Sequence, residues 1–123
     1  MKINLKNDIQ MKLIKAYIRK RKLEEVYKAL KAKGYDSMTM IEGEGTGTFS
    51  DHEREHISDK YTFVEAYMVI KLEILVPKNE VKQIIQIIRE NARTGYNGDG
   101  MIMVASAEEV HKIRTDETGI DAI

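Results

Sequence analysis

The stretch Met68-Val-Ile-Lys-Leu-Glu-Ile-Leu-Val-Pro77 decides the fold. Met68, Ile70, Leu72, Ile74 and Val76 alternate with Val69, Lys71, Glu73 and Leu75. A strand over 68–76 therefore presents one wholly apolar face, and Pro77, which lacks an N–H, stops it. Upstream, Met11–Arg19 reads the same way, with Ile14, Ala16 and Ile18 alternating with Lys15, Tyr17 and Arg19. Between these strands, Leu23, Val26, Tyr27 and Leu30 recur at helical spacing, which predicts a helix over 22–33 closed by Gly34. Ser37–Ile41 is a second short strand, running into Gly43-Glu44-Gly45-Thr46-Gly47. Beyond Pro77, Val81, Ile84, Ile85 and Ile88 stripe a second helix with Asn79 as its N-cap. Thr94–Gly100 is a turn cluster, 101–105 a fourth strand, and a helical turn is expected near Ala107–Val110. The order β-α-β-β-α-β predicts an α+β ferredoxin-like sandwich, a four-stranded antiparallel sheet with two helices on one face. The other sheet face carries Leu13, Tyr17, Val69 and Leu75, too apolar for open water, and so predicts oligomerisation through the sheet.

The 123 residues make one domain. Twenty Lys and Arg balance 20 Asp and Glu, so no whole-protein charge draws the chain to nucleic acid or anionic membrane. There is no cysteine, which removes disulfides, thiolate metal sites and Cys nucleophiles. The longest apolar runs, such as Met101–Ala105, fall far short of a membrane span, and the first ten residues hold no apolar signal core. A cytoplasmic domain is the expectation.

Four groups could carry chemistry. His52-Glu53-Arg54-Glu55-His56 has the HExxH spacing of zinc peptidases. Such a helix needs an apolar face beside the metal, and Ser50–Lys60 offers only Ile57, so a solvated acidic loop is the better reading, with His52 and His56 as weak metal candidates. Gly43-x-Gly45-x-Gly47 could let backbone N–H groups approach a phosphate, but no helix follows as a dinucleotide fingerprint requires. Thr94–Gly100 contains Asn97-Gly98 and Asp99-Gly100, both turn dipeptides. Lys112 and Arg114 fall on one side of an extended segment and suit a polyphosphate. Arg19-Lys20-Arg21-Lys22 reads as a solvated helix entry, and the fourth strand lacks the aromatic rings of an RNA-recognition domain.

Together these pieces resemble the PII family of signal-transduction proteins. The opening strand Met11–Ala16, Leu23-Glu24-Glu25-Val26 and Ala29-Leu30, and Met38-Thr39 with Glu42 look like its first strand, first helix and second strand. Gly45-x-Gly47 looks like the base of its long T-loop, and Lys71–Pro77 like its third strand. Ala92-Arg93-Thr94-Gly95 and Gly98-Asp99-Gly100 look like its B-loop. Ile113-Arg114-Thr115 and Asp121-Ala122-Ile123 look like its C-terminal segment. The resemblance covers 11–123, with a T-loop over about 43–66, a B-loop over 94–101 and a C-terminal segment over 106–123; residues 1–10 are an extension.

The resemblance implies a homotrimer that is not an enzyme, binds ATP, ADP or AMP in clefts between subunits, and controls a membrane transporter or metabolic enzyme through the T-loop, in nitrogen regulation. Thr39, Glu73 and Leu75 are expected to border the adenine; Gly45, Gly47, Gly98, Asp99 and Gly100 to lie at the phosphates; and Lys112 and Arg114 to reach in from the neighbouring subunit. Thr48, Phe49, Arg54 and Tyr61 fall in the partner-binding loop. The departures are specific. Met101 stands where the family usually has a lysine aimed at the terminal phosphates, Thr48 and Phe49 where it has an arginine and a glutamine, and Val69 near its 2-oxoglutarate lysine. Binding of 2-oxoglutarate and Mg²⁺ is therefore not expected. The tyrosine–arginine–glycine uridylylation motif is missing, although Tyr61 lies near its position. The alternative is a PII-like sensor of another input, such as bicarbonate or metal, with a preference for ADP or AMP.

Overall fold

The computed structural model describes residues 8–46 and 68–123. Strands β1 (Met11–Arg19), β2 (Thr39–Glu44), β3 (Met68–Pro77) and β4 (Met101–Ala107) form one antiparallel sheet in the order β2-β3-β1-β4. Helices α1 (Leu23–Ala32) and α2 (Val81–Ala92) complete the β-α-β-β-α-β order. This is the ferredoxin-like sandwich that the alternation in β1 and β3 predicts.

Register sorts the side chains into two faces. Ile14 stands opposite Ile74 and Val104, Ala16 opposite Leu72 and Ile102, and Ile18 opposite Ile70. Ile14, Ala16, Ile18, Ile70, Leu72, Ile74 and Val76 are buried with Val26, Leu30, Ile84, Ile87, Ile88 and Ala92 of the helices in a single core. Among the described residues no polar side chain is buried. On the opposite face Leu13 aligns with Leu75 and Ala105, Lys15 with Glu73 and Met103, and Tyr17 with Lys71 and Met101. Leu13, Tyr17, Val69 and Leu75 are half-buried there, while Ile41, Met101 and Met103 are exposed. The apolar second face exists, and no other described residue covers it.

The differences from expectation lie at element ends. A 3-10 turn, Lys20–Lys22, precedes α1. Gly34, at φ 90°, closes that helix with the paired bonds Tyr35 N to Leu30 O and Gly34 N to Lys31 O, both 3.0 Å, of a Schellman stop. β2 starts two residues later than expected and runs on to Glu44, because pairing with β3 from Thr39–Glu73 to Glu44–Met68 sets its length. Asn79 does not cap α2. A 3-10 turn, Lys78–Glu80, begins directly after Pro77, and Glu80 takes the cap position without a side-chain bond. In α2, Ile87 is buried and Ile85 is only half-buried, since α1 and the sheet together take a wider stripe than one row. β4 extends through Ser106 to Ala107, which pairs with Met11. The final helical turn is Gly119–Ala122, not Ala107–Val110.

Candidate functional site

The glycine loop before β4 is built around one carboxylate. Asp99 Oδ2 accepts the N–H groups of Thr94 at 2.8 Å and Gly95 at 2.9 Å, and Oδ1 takes the Thr94 hydroxyl and, at 3.1 Å, Arg19 Nε. Arg19 Nη2 donates to the Asn97 carbonyl at 2.7 Å, and Tyr96 N donates to Thr94 Oγ1 at 3.2 Å. Gly95, Gly98 and Gly100 have φ of 90°, 97° and 97°. At Gly100 the requirement for glycine is absolute: a Cβ there would stand 1.7 Å from the Tyr17 carbonyl oxygen of the adjacent strand. Burial alone would raise the Asp99 carboxyl, but the bonds from Thr94, Gly95 and Arg19 outweigh it and hold the group far below the ordinary carboxylate range.

Arg19 is the residue that sequence reasoning missed. It reads as part of a solvated Arg-Lys-Arg-Lys helix entry, yet its side chain is 20% exposed and committed to the loop. The usable signal is parity: Arg19 falls on the same face as Leu13, Lys15 and Tyr17, whereas Lys20–Lys22 lie beyond the strand in the 3-10 turn.

The other expected residues lie apart. Thr39 and Glu73 are cross-strand partners on β2 and β3, Leu75 follows on the same face, and Lys71 Nζ meets Glu73 Oε1 at 3.1 Å. β2 and β4 are the opposite edges of the sheet, so Thr39 is roughly 14 Å from the glycine-loop edge at ordinary strand spacing. Lys112 and Arg114 lie past the other end of β4, whose seven residues span roughly 20 Å. They sit on a hairpin rather than an extended segment. A His111–Thr118 bridge, Lys112 N to Glu117 O at 3.0 Å and Gly119 N to Val110 O at 2.9 Å close it. Arg114 is exposed near its tip, and Ile113 beside it is fully exposed. Lys112 Nζ lies 3.8 Å from Glu117 Oε1. One chain thus carries the glycine loop, the Thr39–Glu73–Leu75 patch and the cationic hairpin at three separate places.

A cleft of about 580 Å³ lies at the far end of the sheet, between Gln10–Lys12 and Ser106–His111, and includes none of the glycine-loop residues. Among the described residues, no group of three or more His, Asp or Glu could hold a metal. Gly45 follows β2 and is half-buried. Gly47, Thr48, Phe49, His52, Arg54, His56 and Tyr61 lie outside the described residues. No helix among those described is long and apolar enough to cross a membrane.

Similarity to known proteins points one way. The profile of the family described as "Nitrogen regulatory protein P-II" matches residues 11–117. The "Nitrogen regulatory protein P-II" of Rhizobium meliloti is 39% identical over 113 residues, covering 92% of this chain and all of that one. "Nitrogen regulatory protein P-II 1" of Methanothermobacter thermautotrophicus is 38% identical over 113 residues, covering 92% and 97%. Among solved structures, that of Arabidopsis thaliana PII bound to citrate superposes with a TM-score of 0.74 at 30% identity and covers 94% of both chains. With the fold and the match over residues 11–117 in agreement, the chain belongs to the nitrogen regulatory protein P-II family.

Proposed function

We propose that the chain is a homotrimeric regulator that takes an adenine nucleotide between subunits and controls a partner protein, a transporter or a metabolic enzyme in nitrogen regulation, through the segment 43–66. The observation that carries this reading is the division of the site. Among the described residues, loop N–H groups suited to inner phosphates and the Lys112–Arg114 cations suited to outer ones are separated by the length of β4, and in this reading a second copy brings them together. The uncovered sheet face and the fully exposed Ile113 supply apolar surface for that assembly. In this reading Thr39, Glu73 and Leu75 border the adenine and Gly98–Gly100 face the phosphates. The domain runs from 11 to 123 and signals by population shift: nucleotide favours one arrangement of the segment 43–66, which then holds or releases the partner. Thr48, Phe49, Arg54 and Tyr61 belong to that segment.

Met101 favours ADP or AMP over ATP within this function. Its thioether offers no charge to a γ-phosphate, and Arg19, the cation against the loop, is paired with Asp99. Val69, on the second face beside Arg19, gives 2-oxoglutarate no cation either. Equilibrium dialysis against AMP, ADP, ATP, GTP and 2-oxoglutarate tests the reading. Saturable binding of adenine nucleotide with little binding of GTP or 2-oxoglutarate is expected, and no binding of any adenine nucleotide overturns it.

A further inference from the structure

We propose that Arg19 is a positioning residue for nucleotide binding, the strut that holds the glycine loop 94–100 in its receptive shape. The proposal rests on the reading of that loop as the phosphate side of the site. A segment with Gly95, Gly98 and Gly100 at positive φ has little conformational preference of its own, so cross-links must supply its order. Three side chains provide them, and the first, Thr94, bonds Asp99 through its hydroxyl and accepts the Tyr96 N–H. Asp99 gathers the start of the loop through the Thr94 and Gly95 N–H groups. Arg19 spans the middle, with Nε on Asp99 and Nη2 on the Asn97 carbonyl, while its guanidinium lies under Gly98, 3.2 Å from where a Cβ would be. Arg19 is itself the last residue of a strand paired on both sides over most of its length, in register with Val69 of β3, which pairs in turn with Gly43 at the end of β2. Loop geometry is thereby referred to the rigid centre of the sheet. The planar fork matters because it meets two acceptors at once; a lysine ammonium on a flexible stem keeps the charge without the span. The arginine's charge is balanced by Asp99, so its part is placement of backbone donors rather than attraction of phosphate.

The two roles leave different signatures. Arg19→Ala should weaken AMP, ADP and ATP by a similar factor, tenfold or more, because the same loop N–H groups are misplaced for each ligand. Arg19→Lys should recover less than half of that loss on a logarithmic scale. A loss that grows stepwise with phosphate number, or full recovery with lysine, overturns placement in favour of direct charge. Affinities unchanged in Arg19→Ala overturn it as well. Amide exchange in the nucleotide-free protein separates the strut from the reading of the site. Faster exchange at Thr94 and Gly95 in Arg19→Ala is expected, and unchanged exchange there overturns the strut. A wild-type protein with no affinity for adenine nucleotide overturns the function proposed for the loop, and the exchange comparison then decides the strut alone.

Discussion

Arg19 Nε and Asp99 Oδ1 meet at 3.1 Å across 80 residues of chain, joining the end of the first strand to the loop that opens the last one. The two side chains are 20% and 24% exposed, so the pair is shielded more than a surface ion pair and less than a buried one. Its worth lies in the bonds that it organises rather than in net Coulomb energy.

The carboxylate makes the loop sensitive to acid. Asp99 is held below its ordinary value of 3.8 in the folded chain. Its contribution is therefore fully present above that value and is lost progressively as pH falls toward the depressed one. Asp99→Asn should be less stable than wild type by about 1–3 kcal/mol at pH 7. Urea unfolding at a series of pH values should show the gap closing from about pH 4 downward. A gap that stays constant to pH 2.5 contradicts the assignment.

Two glycines of similar φ should respond very differently to alanine. Gly100→Ala drives a methyl into the Tyr17 carbonyl and should cost more than about 3 kcal/mol. Gly95→Ala meets no atom within 4 Å and pays only backbone strain, about 1–2 kcal/mol. Unfolding midpoints of the two variants, measured side by side, check the ranking; equal costs would mean that the loop moves freely away from β1.

Much of the sheet was legible because alternation in β1 and β3 is a property of neighbouring residues. Their buried faces match the expected rows residue by residue, Ile14, Ala16 and Ile18 against Ile70, Leu72 and Ile74. What escaped depends on distant partners. The ends of β2 and β4 are set by the lengths of β3 and β1, so exposed Glu42 and small Ser106 belong to strands without looking like strand residues. Ile87 rather than Ile85 turns inward because the helix packs against two neighbours. In the glycine loop, the turns at Asn97-Gly98 and Asp99-Gly100 were legible from turn chemistry, as the positive φ of both glycines shows. Arg19 was hidden in a local run of like charges, and its partner is in another part of the chain.

The uncovered sheet face should hold copies together. Leu13→Asp places a carboxylate in the row with Leu75 and Ala105, outside the helix-side core. Wild type should be a trimer by light scattering at micromolar concentration. The variant should fall to monomer while keeping the wild-type far-UV circular dichroism. A trimeric variant would place the assembly surface elsewhere.

Nucleotide choice should follow charge. Each absent charge-assisted contact costs about 1.5–3 kcal/mol, mostly against the triphosphate. ADP or AMP should therefore bind at least as tightly as ATP. Met101→Lys should improve ATP selectively, by about tenfold for each 1.4 kcal/mol gained. Arg114→Ala should weaken phosphate-bearing ligands by about 1.5–3 kcal/mol. Competitive titrations on the three proteins check all of this, and a wild-type preference for ATP of tenfold or more contradicts the charge argument.

The length of β4 has a thermodynamic corollary. With the glycine loop at one end of that strand and Arg114 beyond the other, the proposed binding and self-association form one linked equilibrium. Dilution of the protein then lowers its apparent affinity for nucleotide, and nucleotide in turn lowers the concentration at which subunits assemble. On the proposed function, protein concentration thereby becomes an input as well, and a higher level of this chain would make each copy bind nucleotide more readily.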